Sequence, residues 1–305
     1  MTSQALRLLA LLPAAALVLA GCSNSDSSDG TKTSDTTTSV SIVASTNVYG
    51  DIAESIAGDH ADVTSLITSS SQDPHEYEAS AQDKLALDDA DIVVKNGGGY
   101  DPFIDTLMDS SSTNAAVLDA VEISGFKADP GEELNEHVWY SFPTVAKVAE
   151  TLSQELATVD PDNAGTYQAN YEAFAKQIDG LETSAKTLKA TVGGRGAAIT
   201  EPVPLYLLEA VGLVNKTPSE FSEAVEEGDD VPPRVLQQTL DLFKEDSVAV
   251  LAYNSQTADD TTEQVSAAAK AAGIPVVDFT ETLPAGQSYI QWMQSNIDNL
   301  ADALT

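Results

Sequence analysis

Short apolar runs alternate with helical patterns along most of this chain. Val40–Ala44, Val63–Ile67, Ile92–Lys95 and Ala115–Leu118 form one set of runs, and Ala197–Thr200, Val248–Tyr253 and Pro275–Phe279 form a second. They are continuous more than alternating, as expected of strands buried on both faces of a parallel sheet. Helical patterns lie between them, among them Val48–Ala57, Ser80–Asp88, Pro102–Met108 and Pro143–Thr158. The alternation predicts an α/β fold with right-handed crossovers.

Residues 163–191 break the rhythm. Tyr167, Tyr171, Phe174, Ile178, Leu181, Ala185 and Leu188 recur at steps of four and three, one apolar stripe of a long helix. Asp162 is the expected N-cap, and Gly193-Gly194 the stop signal. A coiled coil needs oligomerisation and sustained heptads with supporting charges. The simpler expectation is a monomer whose helix packs one face against both halves of the molecule. The strands then divide into two α/β lobes, 40–162 and 192–305, joined by a rigid helix. No strong internal repeat relates the two halves. Asn96-Gly97-Gly98-Gly99 lacks phosphate-loop spacing and reads as a tight strand-to-helix turn.

The segment before the first strand has a different composition. Arg7 precedes an apolar stretch from Leu8 to Ala20, suited to a signal peptide (residues 1–21) and short for a membrane span. It ends in Leu19-Ala20-Gly21-Cys22, which resembles a bacterial lipobox, in which the cysteine becomes the lipid-bearing N-terminus. Cys22 is the chain's one cysteine, which rules out an internal disulfide, a cysteine zinc cluster and a cysteine nucleophile. Ser23–Ser39 contains nothing apolar, so residues 22–39 read as a flexible tether of roughly 20–25 Å mean span. These features predict a domain anchored to the outer face of a bacterial cell membrane. The net charge of −34 disfavours nucleic acid and anionic membrane surfaces as partners.

Against 48 acidic residues the chain has three histidines, and two stand in short motifs suited to a metal. They are Asp73-Pro74-His75-Glu76-Tyr77-Glu78 and Asn135-Glu136-His137-Val138-Trp139-Tyr140. Pro74 fixes the backbone before His75, and Asp73 or Glu76 suits an acceptor for its ring. Trp139 and Tyr140 imply partial burial for His137. Glu201 follows a strand directly, and Glu281 comes two residues past Phe279 with Asp278 as its competitor. All four candidates fall beyond strand carboxyl ends, the edge where open parallel sheets bind ligands, which predicts a site in the cleft between lobes. Each has a bland reading too: His75 as a solvated loop residue, Glu201 as an N-cap or loop charge. His60 precedes a strand and is assigned to the surface.

Together these pieces resemble the solute-binding lipoproteins of zinc and manganese ABC importers. The resemblance rests on the lipobox, Ser45-Thr46-Asn47, the His75 motif, Asn96-Gly97, His137-Val138-Trp139, the long helix, Thr200-Glu201-Pro202 with Tyr206, and Pro275-Val276-Val277 leading to Phe279-Thr280-Glu281. It implies two lobes joined by one long helix with a metal between them, no enzymatic activity, and delivery of the ion to a membrane permease. The implied ligands are His75, His137, Glu201 and, where the family usually has Asp, Glu281, with Asp278 in reserve. The glutamate form of the third ligand is associated with manganese importers. The histidine-rich loop of many zinc members is missing, since 119–136 are acidic and lack histidine before His137.

Two imidazoles with two carboxylates would balance a divalent charge. Oxygen ligands suit Mn2+, whereas imidazole and the Irving–Williams order favour Zn2+, so both ions remain as cargo. The rivals are a membrane-anchored metallohydrolase and a surface adhesin or structural lipoprotein. No H-E-x-x-H helix or G-x-S-x-G elbow supports the first.

Overall fold

The computed structural model describes residues 39–69, 72–75, 77–128, 134–245 and 247–305. The expected signal peptide, Cys22 and nearly all of the tether lie outside these residues, as does Glu76.

The first lobe runs β1 (Val40–Thr46), α1 (Asn47–Ala57), β2 (Ala61–Ile67), α2 (Ala81–Asp88), β3 (Ile92–Lys95), α3 (Pro102–Ser110), β4 (Ala116–Asp119), α4 (Ala120–Ser124) and α5 (Phe142–Val159). The long helix α6 (Ala164–Val192) follows. The second lobe runs β5 (Gly196–Ile199), α7 (Leu205–Ala210), β6 (Val214–Asn215), α8 (Ser219–Glu226), α9 (Pro233–Lys244), β7 (Val250–Asn254), α10 (Asp260–Ala271), β8 (Val276–Phe279) and α11 (Tyr289–Leu304).

Both sheets are wholly parallel, with strand orders β2-β1-β3-β4 and β6-β5-β7-β8. The second order repeats the first, although no repeat is visible in the sequence. In each sheet the chain reverses its direction of travel beside the first strand laid down, opening a crevice at the strand carboxyl ends.

Residue alternation along the strands explains the layers. Ile42, Ala44, Ile92 and Val94 face a core with α1, α5 and α6, while Val43 and Val93 face Leu87, Phe103, Ile104 and Leu107 of α2 and α3. The second sheet divides likewise. Ala197, Ile199, Val250 and Ala252 join the same central core, and Ala198, Leu251 and Tyr253 face Phe221, Val235, Phe243 and Val265. One apolar core therefore runs from the first sheet through α6 to the second.

Helix α6 buries Tyr167, Phe174, Ile178, Leu181, Ala185, Leu188 and Val192, the expected stripe with Tyr171 only partly covered. Its 29 residues span about 43 Å. Asp162 is not its N-cap. Pro161–Asn163 form a 3-10 turn and Asn163 takes the cap position without a side-chain cap bond. The carboxylate serving this corner is Asp160, which accepts from Asn163 Nδ2 at 2.7 Å and Tyr167 Oη at 2.6 Å. His60 lies at the amino-terminal edge of β2, its ring against Tyr167. No helix among the described residues is long and apolar enough to cross a membrane.

Candidate metal centre

The strand carboxyl ends deliver the site. The loop after β2 carries His75, the segment after β4 carries Glu136 and His137, β5 runs into Glu201, β7 ends at Asn254, and Glu281 follows β8. His75 and Glu136 line a cleft of about 1050 Å³ together with Asp73, Glu226, Thr257 and Asp259, and His137, Glu201, Asn254 and Glu281 are buried behind that lining.

The Asn96–Gly99 turn supports this arrangement from below. Gly97, Gly98 and Gly99 all have positive φ, which glycine adopts without steric cost. A Cβ on Gly97 would stand 2.2 Å from the Asp119 carboxylate, and one on Gly98 3.1 Å from Glu136 Cβ. Asn96 Nδ2 donates to the Glu136 carbonyl at 2.9 Å, which fixes the backbone just before His137. The glycines thus let a tight turn press against the ligand-bearing segment.

His137 is fully buried, with Tyr100 and Trp139 against its ring. Asn135 settles its tautomer. Asn135 Nδ2 donates to the Pro202 carbonyl at 3.2 Å, and Oδ1 accepts the His137 backbone N–H at 3.1 Å. Since that oxygen is an acceptor, the 2.8 Å contact to His137 Nδ1 requires the proton on Nδ1. The lone pair of Nε2 is left facing the cleft without a hydrogen-bond partner. His75 Nε2 is likewise buried and unpartnered. Burial lowers the pKa of both histidines, most strongly for His137, where a charge on His75 would add to the effect; Asp73 opposes the shift at His75. Asp73 does not hold the His75 ring: its Oδ1 accepts the His75 backbone N–H at 2.9 Å.

Glu201 and Glu281 are buried on the opposite side, and Asn254 bridges them. Its Nδ2 donates to Glu201 Oε2 at 2.7 Å and to Glu281 Oε1 at 2.8 Å. Thr257 Oγ1 donates to the other oxygen of Glu201, whereas Glu281 Oε2 is buried without a well-formed hydrogen bond and the Tyr100 hydroxyl is a neighbour of that carboxyl. Burial pushes the Glu201 pKa up to about 7, against the Thr257 and Asn254 bonds. Burial, and then the charge of Glu201, pushes Glu281 up to about 8. Asp278 is exposed on β8 and does not share this environment.

Among the described residues, one atom each from His75, His137 and Glu281 lie within 4.8 Å of one another. Ligand atoms on a tetrahedral Zn2+ stand about 3.4 Å apart, so the group needs only a small contraction to close on an ion. Glu201 is not within that spacing and reaches the group through Asn254. A second set, His75, Glu136 and Glu226, meets the same criterion. Glu226 lies on α8, and its Oε1 stands 3.4 Å from His137 Nε2. Burial, then the charges of Glu136, Glu201 and Glu281, push its pKa up to about 10. Sequence reasoning missed Glu226, because an acidic run at a helix end reads as solvated surface. It also missed Asn254, although that residue sits at a strand carboxyl end like Glu201.

A family model for the periplasmic component A of the zinc-uptake complex matches residues 42–303. The chain belongs to this family. It is a family of solute-binding proteins, not of enzymes. Among relatives, the manganese-binding lipoprotein MntA of Halalkalibacterium halodurans is 29% identical over 295 residues, covering 95% of each chain. The iron ABC transporter substrate-binding lipoprotein MtsA of Streptococcus pyogenes serotype M1 is 26% identical, over 91% of this chain and 93% of its own. The periplasmic zinc-binding protein TroA of Treponema pallidum shares the fold, with a TM-score of 0.74 at 19% identity, over 87% of this chain and 98% of its own. The two relatives and the structural neighbour thus bear names with three different metals.

Proposed function

We propose that this protein is the extracytoplasmic solute-binding component of an ABC importer. It captures one divalent transition-metal ion, Zn2+ or Mn2+, and delivers it to the membrane permease. Two observations support this reading: His75, His137 and Glu281 each offer a ligand atom within 4.8 Å of the others, and His75 Nε2, His137 Nε2 and Glu281 Oε2 are buried without a hydrogen-bond partner. A buried polar atom without a partner is costly, and a cation that all three can ligate removes that cost. His75, His137 and Glu281 are the ligands, with Glu201 completing the set and balancing the charge. The names of the relatives support a metal cargo, and the mixed nitrogen and oxygen donors suit either ion. The chain acts as a monomer held to the outer face of the cell membrane by lipid on Cys22, and has no catalytic or nucleic-acid role.

Native mass spectrometry and competitive titration of metal-free protein with Zn2+ and Mn2+ test the reading. One tightly bound ion per chain, with no hydrolytic turnover, is expected. Absence of binding at every pH tried would overturn it. Substituting Cys22→Ala should move the protein from the membrane to the soluble fraction without changing metal stoichiometry.

A further inference from the structure

The second ligand set shares His75 with the first and lies on the same cleft, yet it draws on a different wall. Glu226 is the last residue of α8, and its side chain is only 13% exposed. A carboxylate at a helix C-terminus faces the negative end of the helix dipole, and Glu227, Asp229 and Asp230 follow it. Local energetics therefore argue against an acid pointing inward here.

What Glu226 meets is equally telling. Its Oε1 is buried without a hydrogen-bond partner and stands 3.4 Å from His137 Nε2. Asn135 holds the His137 proton on Nδ1, so Nε2 presents a lone pair. A carboxylate oxygen of the outer set and Nε2 of the inner histidine thus stand 3.4 Å apart, close enough for an ion held by Glu226 to be passed to His137. Glu136, on the neighbouring loop, and His75 complete the set.

On the reading that the cleft binds a transition-metal ion, we propose that His75, Glu136 and Glu226 form an outer transit position for that ion. His75 is the pivot. An arriving ion is first held by His75 with the two glutamates of the cleft wall. It then exchanges Glu136 and Glu226 for His137 and Glu281 while His75 keeps hold. The path reverses on release, so the ion is never stripped of all protein ligands at once. Sharing His75 also limits the cleft to one ion at a time. Because the exchange lowers the barrier in both directions, Glu226 governs rates more than affinity.

The test is stopped-flow binding and chelator-driven release of Mn2+ and of Zn2+, read through the fluorescence of Trp139, whose ring lies 5.0 Å from that of His137. Glu226→Gln keeps the shape and replaces the anionic carboxylate by a much weaker amide oxygen donor. The expected result is association and dissociation each slowed at least about tenfold, with the dissociation constant and one-ion stoichiometry nearly unchanged. Glu227→Gln removes a charge from an exposed neighbour and should leave both rates within about twofold, which tests electrostatic steering apart from ligation. Rates unchanged in Glu226→Gln overturn the transit position. So does a large loss of affinity through faster release alone, which would make Glu226 a resident ligand. Failure of the unsubstituted protein to bind either ion would instead overturn the proposed function, so the two failures are distinguishable.

Discussion

At the scale of single residues, the proposed site depends on atoms already in place in the metal-free protein. His75→Ala and His137→Ala should each abolish high-affinity binding, measured by calorimetric titration, with an unchanged far-ultraviolet spectrum. Asn135→Ala should weaken binding by about 10–100-fold, because it frees the His137 ring to rotate and to move its proton to Nε2. The pH dependence has a definite sign. Glu201 and Glu281 hold protons up to about pH 7 and 8, and both must give them up to ligate. Burial lowers the histidine pKa values, so the rings stay neutral across that range. Affinity should therefore fall from pH 8 to pH 6 by up to about tenfold per pH unit for each proton displaced, with proton release detectable in weak buffer. The positions of the two histidines, Glu201 and Glu281 at strand carboxyl ends were legible because short motifs and strand ends mark them. Glu226 was not, since only the three-dimensional meeting of α8 with the β4 segment separates it from its solvated acidic neighbours.

At the scale of elements, α6 is the test piece. Leu181 is buried in the central core, and Leu181→Ala should cost about 2–5 kcal/mol in urea unfolding, whereas the exposed Gln177→Ala should stay within about 0.5 kcal/mol. Gly180 lies inside the helix, and a Cβ there would meet nothing within 4 Å. Gly180→Ala should stabilise the protein by about 0.5–1 kcal/mol by lowering the entropy of the unfolded chain. The long stripe and the seven predicted strands were readable to within two residues at each end, because buried parallel strands and a one-faced helix leave plain patterns. The two-residue β6 leaves no period to read. The start of α6 misled for another reason. The 3-10 turn at Pro161 shifts the corner, so that the useful carboxylate is two residues earlier than expected.

At the scale of the whole molecule, cargo and stability are linked. The usual glutamate value is 4.5, and the folded values of Glu201 and Glu281 are higher. Between these limits the metal-free native state holds more protons than the unfolded chain. Stability from this source is present at low pH and is lost as pH rises through about 7 and 8. The lowered histidines act in the opposite sense, but only at and below their ordinary value of 6.5. Thermal unfolding of metal-free protein should therefore show Tm falling from pH 6.5 to 8.5. The metal-loaded protein, whose carboxylates are ionised and paired with the cation, should not show that fall. A single core shared by both sheets also predicts one unfolding transition, checked by coincident fluorescence and circular dichroism curves.

Asn254 gives this architecture a further property. Its one amide group spends both hydrogens on keeping two acids side by side, and leaves Glu281 Oε2 buried and outside that pair of bonds. A neutral group thereby serves as a permanent jig that need not be displaced when the ion enters. On the proposed reading the acidic half of the site is a caliper set in advance, so the fit of each ion to that gap, more than any reshaping of the protein, should set the order in which cations are accepted.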